Sequence, residues 1–180
     1  MFKMNGIYVE RLIRADIERV WKYTQEPDLH QRWDLRFSTI RYLPHLAGEP
    51  QKFRYETRIG FGLRIAGFGE SIGEVLSDAG SRTSKLLFWS DDRKSLIAKG
   101  SGYWRYIPTD GGTRFLTYYD YTTRFGVLGR MVDLVFRPLI GWATARSFDA
   151  LALWLEDGLE PEHAGFAPRA NRCLRKPALS

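Results

Sequence analysis

The chain reads as an α+β domain in which a curved antiparallel sheet of about seven strands wraps around one long C-terminal helix. Three observations predict this. Apolar residues alternate with period two through most of the middle of the chain, as in Phe53, Tyr55, Thr57, Ile59, Phe61 and Leu63. After Gly126 the spacing changes to a helical one, through Val132, Val135, Phe136, Leu139, Ile140, Ala143, Phe148, Leu151, Trp154 and Leu155. A sheet of hairpins cannot bury its own concave face, so a long helix laid across it closes the core.

The elements follow in order. Ile7 to Arg14 is a mixed run that predicts a first strand. Asp16 stands where a helix N-cap belongs, and Ile17, Val20, Trp21 and Thr24 keep helical spacing behind it. Pro27 opens a second short helix that runs to about Trp33. Strands are then predicted over Phe37–Leu43 and Gln51–Leu63, a turn or bend near Leu63–Ala66, and a further strand over Ile72–Leu76. Thr83–Ser90, Ser95–Ile107 and Thr113–Phe125 complete the sheet, the last two joined by a hairpin at Pro108, Asp110, Gly111 and Gly112. Gly158 and Pro161 end the closing helix, and Pro138 with Gly141 predicts a kink or break inside it.

At 180 residues the chain fits one domain, placed at 1–162, with a flexible basic tail at 163–180. That tail holds Arg169, Arg172, Arg175 and Lys176 and no acid. Without it the net charge of +6 falls to 23 basic against 21 acidic residues, so the body is nearly balanced and nucleic acid is not an expected partner. One cysteine, Cys173, excludes an internal disulfide, and three scattered histidines do not suggest a metal cluster. No cofactor or metal is expected. No run of 18 apolar residues occurs, and charge interrupts the N-terminus before a signal core forms, which points to the cytoplasm.

The opening VERLIRADIERVWKYTQEPDLHQRWD, the strand-rich middle and the closing GWATARSFDALALWLEDG together resemble the START-like helix-grip superfamily, in its polyketide cyclase/dehydrase and lipid-transport branch. The two tryptophans of the opening pattern are Trp21 and Trp33. The resemblance covers roughly Gly6 to Pro161 and implies a hydrophobic cavity between sheet and helix. It carries no catalytic motif onto this chain, so catalytic residues are unknown.

Such a cavity makes Tyr55, Thr57, Tyr103, Trp104, Arg105, Thr117, Tyr119 and Tyr121 on the strands, and Trp142 on the closing helix, candidate ligand-binding residues. If the protein turned substrate over, Tyr103, Arg105 or Tyr119 would be the groups to suspect. Alternation turns Asp120 outward if its neighbours Tyr119 and Tyr121 face inward. The glycine pairs Gly60/Gly62, Gly67/Gly69 and Gly100/Gly102 fit two readings: room for a ligand, or bulges that curve the sheet. The cluster Arg32, Trp33, Asp34, Arg36 fits two readings, a lining of the cavity mouth near the second helix or an ion-pair network bracing that helix against the second strand, and the brace is preferred. The function expected is binding of a small hydrophobic or amphipathic ligand, with cyclase-like or dehydratase-like chemistry open. The alternative is an interaction or membrane-surface protein that uses the basic tail and the apolar helix region Met131–Trp142.

Overall fold

A computed structural model describes residues 6–59 and 62–163. β1 (Ile7–Ile13) is followed by α1 (Ile17–Gln25) and α2 (Pro27–Trp33). Then come β2 (Thr39–Tyr42), β3 (Lys52–Ile59), β4 (Leu63–Leu76), β5 (Arg82–Trp89), β6 (Ile97–Thr109) and β7 (Gly112–Thr123). α3 (Gly126–Asp157) closes the fold, with a short 3-10 turn at Pro161–His163. The strands form one antiparallel sheet in the order β1-β7-β6-β5-β4-β3-β2. This is the predicted α+β architecture of seven strands around a long helix. α1 and α2 carry the chain from one edge of the sheet to the other, and successive hairpins return it until β7 pairs with β1.

The helix starts follow local chemistry. Asp16 caps α1 by accepting the Arg19 N–H at 2.8 Å. Pro27 sits in the first turn of α2, where its missing N–H costs nothing. Trp33 at the end of α2 is fully buried, and its indole donates to the Tyr23 carbonyl at 2.9 Å.

Two expectations need correction. The turn between β3 and β4 lies just before Leu63 and not over Leu63–Ala66; β4 runs unbroken from Leu63 to Leu76 through Gly67 and Gly69. The glycines misled because they read as turn residues, whereas pairing with β3 and β5 on both sides holds the strand extended. Nor is α3 broken at Pro138 or Gly141: it is continuous over 32 residues. Pro138 removes one backbone donor on an exposed side, and the flanking turns continue through it. The basic tail from Ala164 onward, with Cys173, and Gly60 and Phe61 lie outside the described residues.

The glycines of the middle strands do something that neither sequence reading named. A Cβ on Gly69 would stand 2.2 Å from the Phe53 ring, on Gly67 2.3 Å from Tyr55, and on Gly100 2.3 Å from Phe88. Each makes space on the concave face for an aromatic ring of the neighbouring strand to lie flat across it. The register irregularities sit elsewhere, at Ser71/Gly73 and Ile97/Lys99.

The core lies where the C-terminal half of α3 meets β1, β7 and β6. Phe148 of α3 stacks on Phe115 of β7 at 4.3 Å between ring centroids, and Phe115 stacks on Tyr106 of β6 at 4.9 Å. Beside this stack, Arg11 of β1 is ion-paired with Asp149 of α3, both side chains only 7% exposed.

The glycine geometry has a direct consequence. Gly100→Ala places a methyl group 2.5 Å from the Asp120 carbonyl as well as against Phe88. It is expected to lower stability by about 1–3 kcal/mol. Gly111→Ala, whose nearest contact is 3.6 Å away, is expected to change it little. Urea unfolding of the two variants compares them, and equal midpoints would refute the assignment.

Candidate functional site

α3 makes its sheet contacts chiefly with β1 and β7. The concave face of β3 to β5 is left without a helix across it. Phe53 and Tyr55 of β3 and Leu86 and Phe88 of β5 point into this space and are only half-buried. Phe37, from the segment after α2, joins them with its ring 5.2 Å from that of Tyr55. The result is an aromatic trough running away from the packed core.

A buried polar network lies at the inner end of the trough. Asp34 leaves the C-terminus of α2 and is fully buried. Arg36 grips it with two nitrogens, Nε on Oδ1 at 2.8 Å and Nη2 on Oδ2 at 2.6 Å. The Ser147 hydroxyl of α3 faces Oδ1 at 3.3 Å, donates to the Ala143 carbonyl at 2.8 Å, and accepts the Leu35 N–H at 2.9 Å. His30 Nε2 stands 3.0 Å from Asp34 Oδ2. A carboxylate only accepts, so Nε2 carries the proton.

The charge states follow from burial and partners. Burial pushes the His30 imidazole below its ordinary pKa and outweighs the pull of Asp34 in the other direction, so His30 is neutral near pH 7. Burial works to raise the Asp34 carboxyl, but the Arg36 charge and hydrogen bonds outweigh it and hold the group well below the usual carboxylate range. Arg36 stays charged. Its guanidinium carbon lies 5.3 Å from the centre of the Phe37 ring and 5.4 Å from that of Tyr119, and 15% of its side chain remains exposed. The Tyr119 hydroxyl shares a 2.7 Å hydrogen bond with Thr144 of α3. Burial raises its pKa, against the opposing effect of Arg36. Tyr55 has no hydrogen-bond partner among the described residues, and burial alone raises its hydroxyl to about 12. The arrangement therefore presents one fixed cation and one unengaged neutral hydroxyl on an aromatic lining.

The candidates from the sequence separate by face. Tyr55, Thr57, Trp104, Thr117, Tyr119 and Tyr121 all stand on the concave side. Trp104, Thr117 and Tyr119 are deep in the packed part. Thr57 donates to the Arg36 carbonyl at 2.7 Å and so holds the segment that carries Arg36. Tyr121 donates to Asp133 of α3 at 2.6 Å.

Tyr103 and Arg105 alternate with buried Trp104 and Tyr106 and therefore lie on the convex face. Tyr103 packs there against Tyr118, and Arg105 is exposed. Trp142 stands on the outward side of α3, 39% exposed. Asp120, expected to face out, is half-exposed and accepts from Arg137 at 2.7 Å.

His30, Thr144 and Ser147 went unread as site residues. Of the two readings of Asp34 and Arg36, the brace runs to α3 through Ser147 and not to the second strand, and Arg36 lies beside the Phe37 and Tyr119 rings as the cavity-mouth reading has it. Arg32 belongs elsewhere, on Glu162 at 2.7 Å and against Trp154 at the surface. The available signal was DLR, an acid and a base that flank one residue directly after a buried tryptophan. Their pairing needed the side-chain directions.

Comparison with known proteins identifies the family and the fold. Residues 4–156 match the family described as polyketide cyclase / dehydrase and lipid transport. The chain belongs to that family. It is 53% identical over 162 residues to a Bacillus subtilis (strain 168) protein named uncharacterized membrane protein YndG, covering 89% of this chain and 60% of that relative's length. The family member described here is also similar in fold to a STAR-related lipid transfer protein from Xanthomonas axonopodis. That match has a TM-score of 0.62 at 14% identity, over 83% of this chain and 85% of the other. The ZhuI aromatase/cyclase from Streptomyces sp. R1128 superposes with a TM-score of 0.62 at 12% identity, over 86% and 97%. At such identities these two likenesses concern the fold. Among the described residues, no helix is long and apolar enough to cross a membrane.

The network makes stability depend on pH. His30 has a folded pKa below its unfolded value of about 6.5, so protonation favours the unfolded chain. Its contribution is present above that value and is lost as pH falls toward the folded pKa. Stability is expected to drop as pH falls below about 6.5 in the native chain, and the drop is expected to shrink in His30→Gln. Chemical unfolding across this range measures both slopes. Asp34→Asn strands the Arg36 charge and is expected to cost about 3–5 kcal/mol at pH 7.

Proposed function

We propose that this protein binds a small hydrophobic or amphipathic ligand in the trough on the concave face of β3 to β5, whose inner end meets α3. The observation that carries the reading is the pairing of a half-buried aromatic face with a single fixed cation. Phe37, Phe53, Leu86 and Phe88 take the apolar body. Arg36, with Tyr55 beside Phe37, takes an acceptor such as a carbonyl or carboxylate. Desolvation at such a site strengthens each polar contact, so few are needed for orientation.

Membership of a family that includes lipid-transport proteins supports this reading, as do structural neighbours named as a lipid transfer protein and an aromatase/cyclase. Chemistry at this site would use Arg36 to stabilise developing negative charge on an enolate oxygen, with a tyrosine as proton donor. Binding comes first, and turnover is tested on whatever binds.

Native mass spectrometry of the purified chain, followed by denaturing extraction, identifies a bound molecule. Leu86→Trp fills the trough from the half-buried concave face of β5 and is expected to abolish that mass shift while leaving the fold intact. Tyr55→Phe is expected to weaken binding by about tenfold, the value of one hydrogen bond. A ligand whose occupancy survives both substitutions would sink the proposed site.

A further inference from the structure

The N-terminal half of α3 presents a large apolar face away from the sheet. The side turned to the sheet carries Asp133 and Arg137 beside half-buried Phe136 and Ile140. Asp133 accepts from the Tyr121 hydroxyl, and Arg137 bonds Asp133 at 2.8 Å and Asp120 at 2.7 Å. The opposite side carries Leu128, Met131, Val132, Val135, Leu139 and Trp142, at helical spacing and 39–75% exposed. Leu134 beside them is 77% exposed. Large apolar residues scattered singly on a surface need no explanation, but a continuous stripe over four turns does. The helix begins at an unusual junction. Phe125 takes a left-handed backbone conformation at φ 68°, which is costly for a bulky residue, and its ring is 53% exposed beside the stripe.

We infer that this stripe is a docking surface for an anionic lipid membrane, with the helix lying in the plane of the interface. Charge selects that occupant. Arg130 lies on the flank of the stripe, exposed and without an acidic partner among the described residues. The loop after β5 packs at the start of α3, where Arg124 donates its N–H to the Leu96 carbonyl at 2.7 Å. That loop presents Arg93 and Lys94, both exposed, with the Lys94 charge acting on the neighbouring Asp92 carboxylate. The adjoining ends of β3 and β4 add Arg58 and Arg64, register partners that are exposed and unpaired among the described residues. Of the two acids in the loop, Asp92 is engaged by the Lys94 N–H at 3.0 Å and the Ala66 N–H at 3.5 Å, and Asp91 is exposed. The rim is therefore net positive, which favours an anionic surface over a second, like-charged copy of the chain. An apolar helical face flanked by arginine is the pattern of a helix that lies on a membrane and does not cross it.

Flotation of the full chain with vesicles tests this. Vesicles of phosphatidylcholine alone are compared with vesicles of phosphatidylcholine mixed with phosphatidylglycerol. Three variants are used: Val135→Ser with Leu139→Ser on the stripe, Arg130→Ser with Lys94→Ser on the rim, and a tail variant with Arg169, Arg172, Arg175 and Lys176 changed to Ser. The native chain is expected to float with the anionic vesicles. The stripe variant is expected to lose about tenfold or more in partition, because two exposed apolar side chains no longer enter the interface. It should keep the native unfolding midpoint, because neither side chain is in the core. The rim variant is expected to lose its preference for phosphatidylglycerol. Three results would overturn the inference: no flotation with either vesicle, flotation that the tail variant abolishes and the stripe variant does not, or a dimer in light scattering that the stripe variant dissociates.

Discussion

One helix cannot cover a seven-stranded concave face, and the rest of the structure follows from how α3 is spent. Its C-terminal half is committed to β1 and β7, where Phe148 stacks on Phe115 and Asp149 meets Arg11. Aromatic stacking of this kind adds to the area that it buries. A paired charge in the same place ties register to burial, because either partner alone would be left unpaired in a low dielectric. That end of the molecule is therefore a conventional core.

Everything beyond the reach of that contact is built differently. On β3 to β5 the glycines replace side chains with space, and the space is taken by rings from neighbouring strands. The surface so formed is apolar, curved and only half-buried. Where it meets the core, the Asp34–Arg36 pair holds a cation in place through two hydrogen bonds and through Ser147 on the helix. Core and trough thus share elements: the same α3 that closes one positions the polar end of the other. A ligand in the trough would rest against a scaffold whose rigidity comes from elsewhere, which is how a cavity keeps its shape without being filled.

The two halves of α3 obey opposite rules for the same reason. The C-terminal half buries nearly every side from Thr144 to Leu155. The N-terminal half turns Asp133 and Arg137 toward Tyr121 and Asp120, keeps Phe136 and Ile140 half-buried, and holds its other large apolar residues outward.

The sequence by itself determined the order of elements, the seven strands and the two short helices after the first strand. Those depend on local period, on Asp16 and Pro27, and on turn residues read one segment at a time. It also determined which strand residues share a face, because alternation is a property of the backbone, although which face is concave needed the buried Trp104 and Tyr106. The tertiary structure alone decided what the glycines accommodate, because the rings that fill their space come from register partners on the neighbouring strand: Phe53 for Gly69, Tyr55 for Gly67 and Phe88 for Gly100. It alone decided that Asp34 and Arg36 are buried together beneath Ser147, more than a hundred residues away. The helical period of α3 was visible in advance, but its phase against the sheet was not. That phase is set by long-range packing of Phe148 and Asp149, and it is what turns one half of the helix inside out.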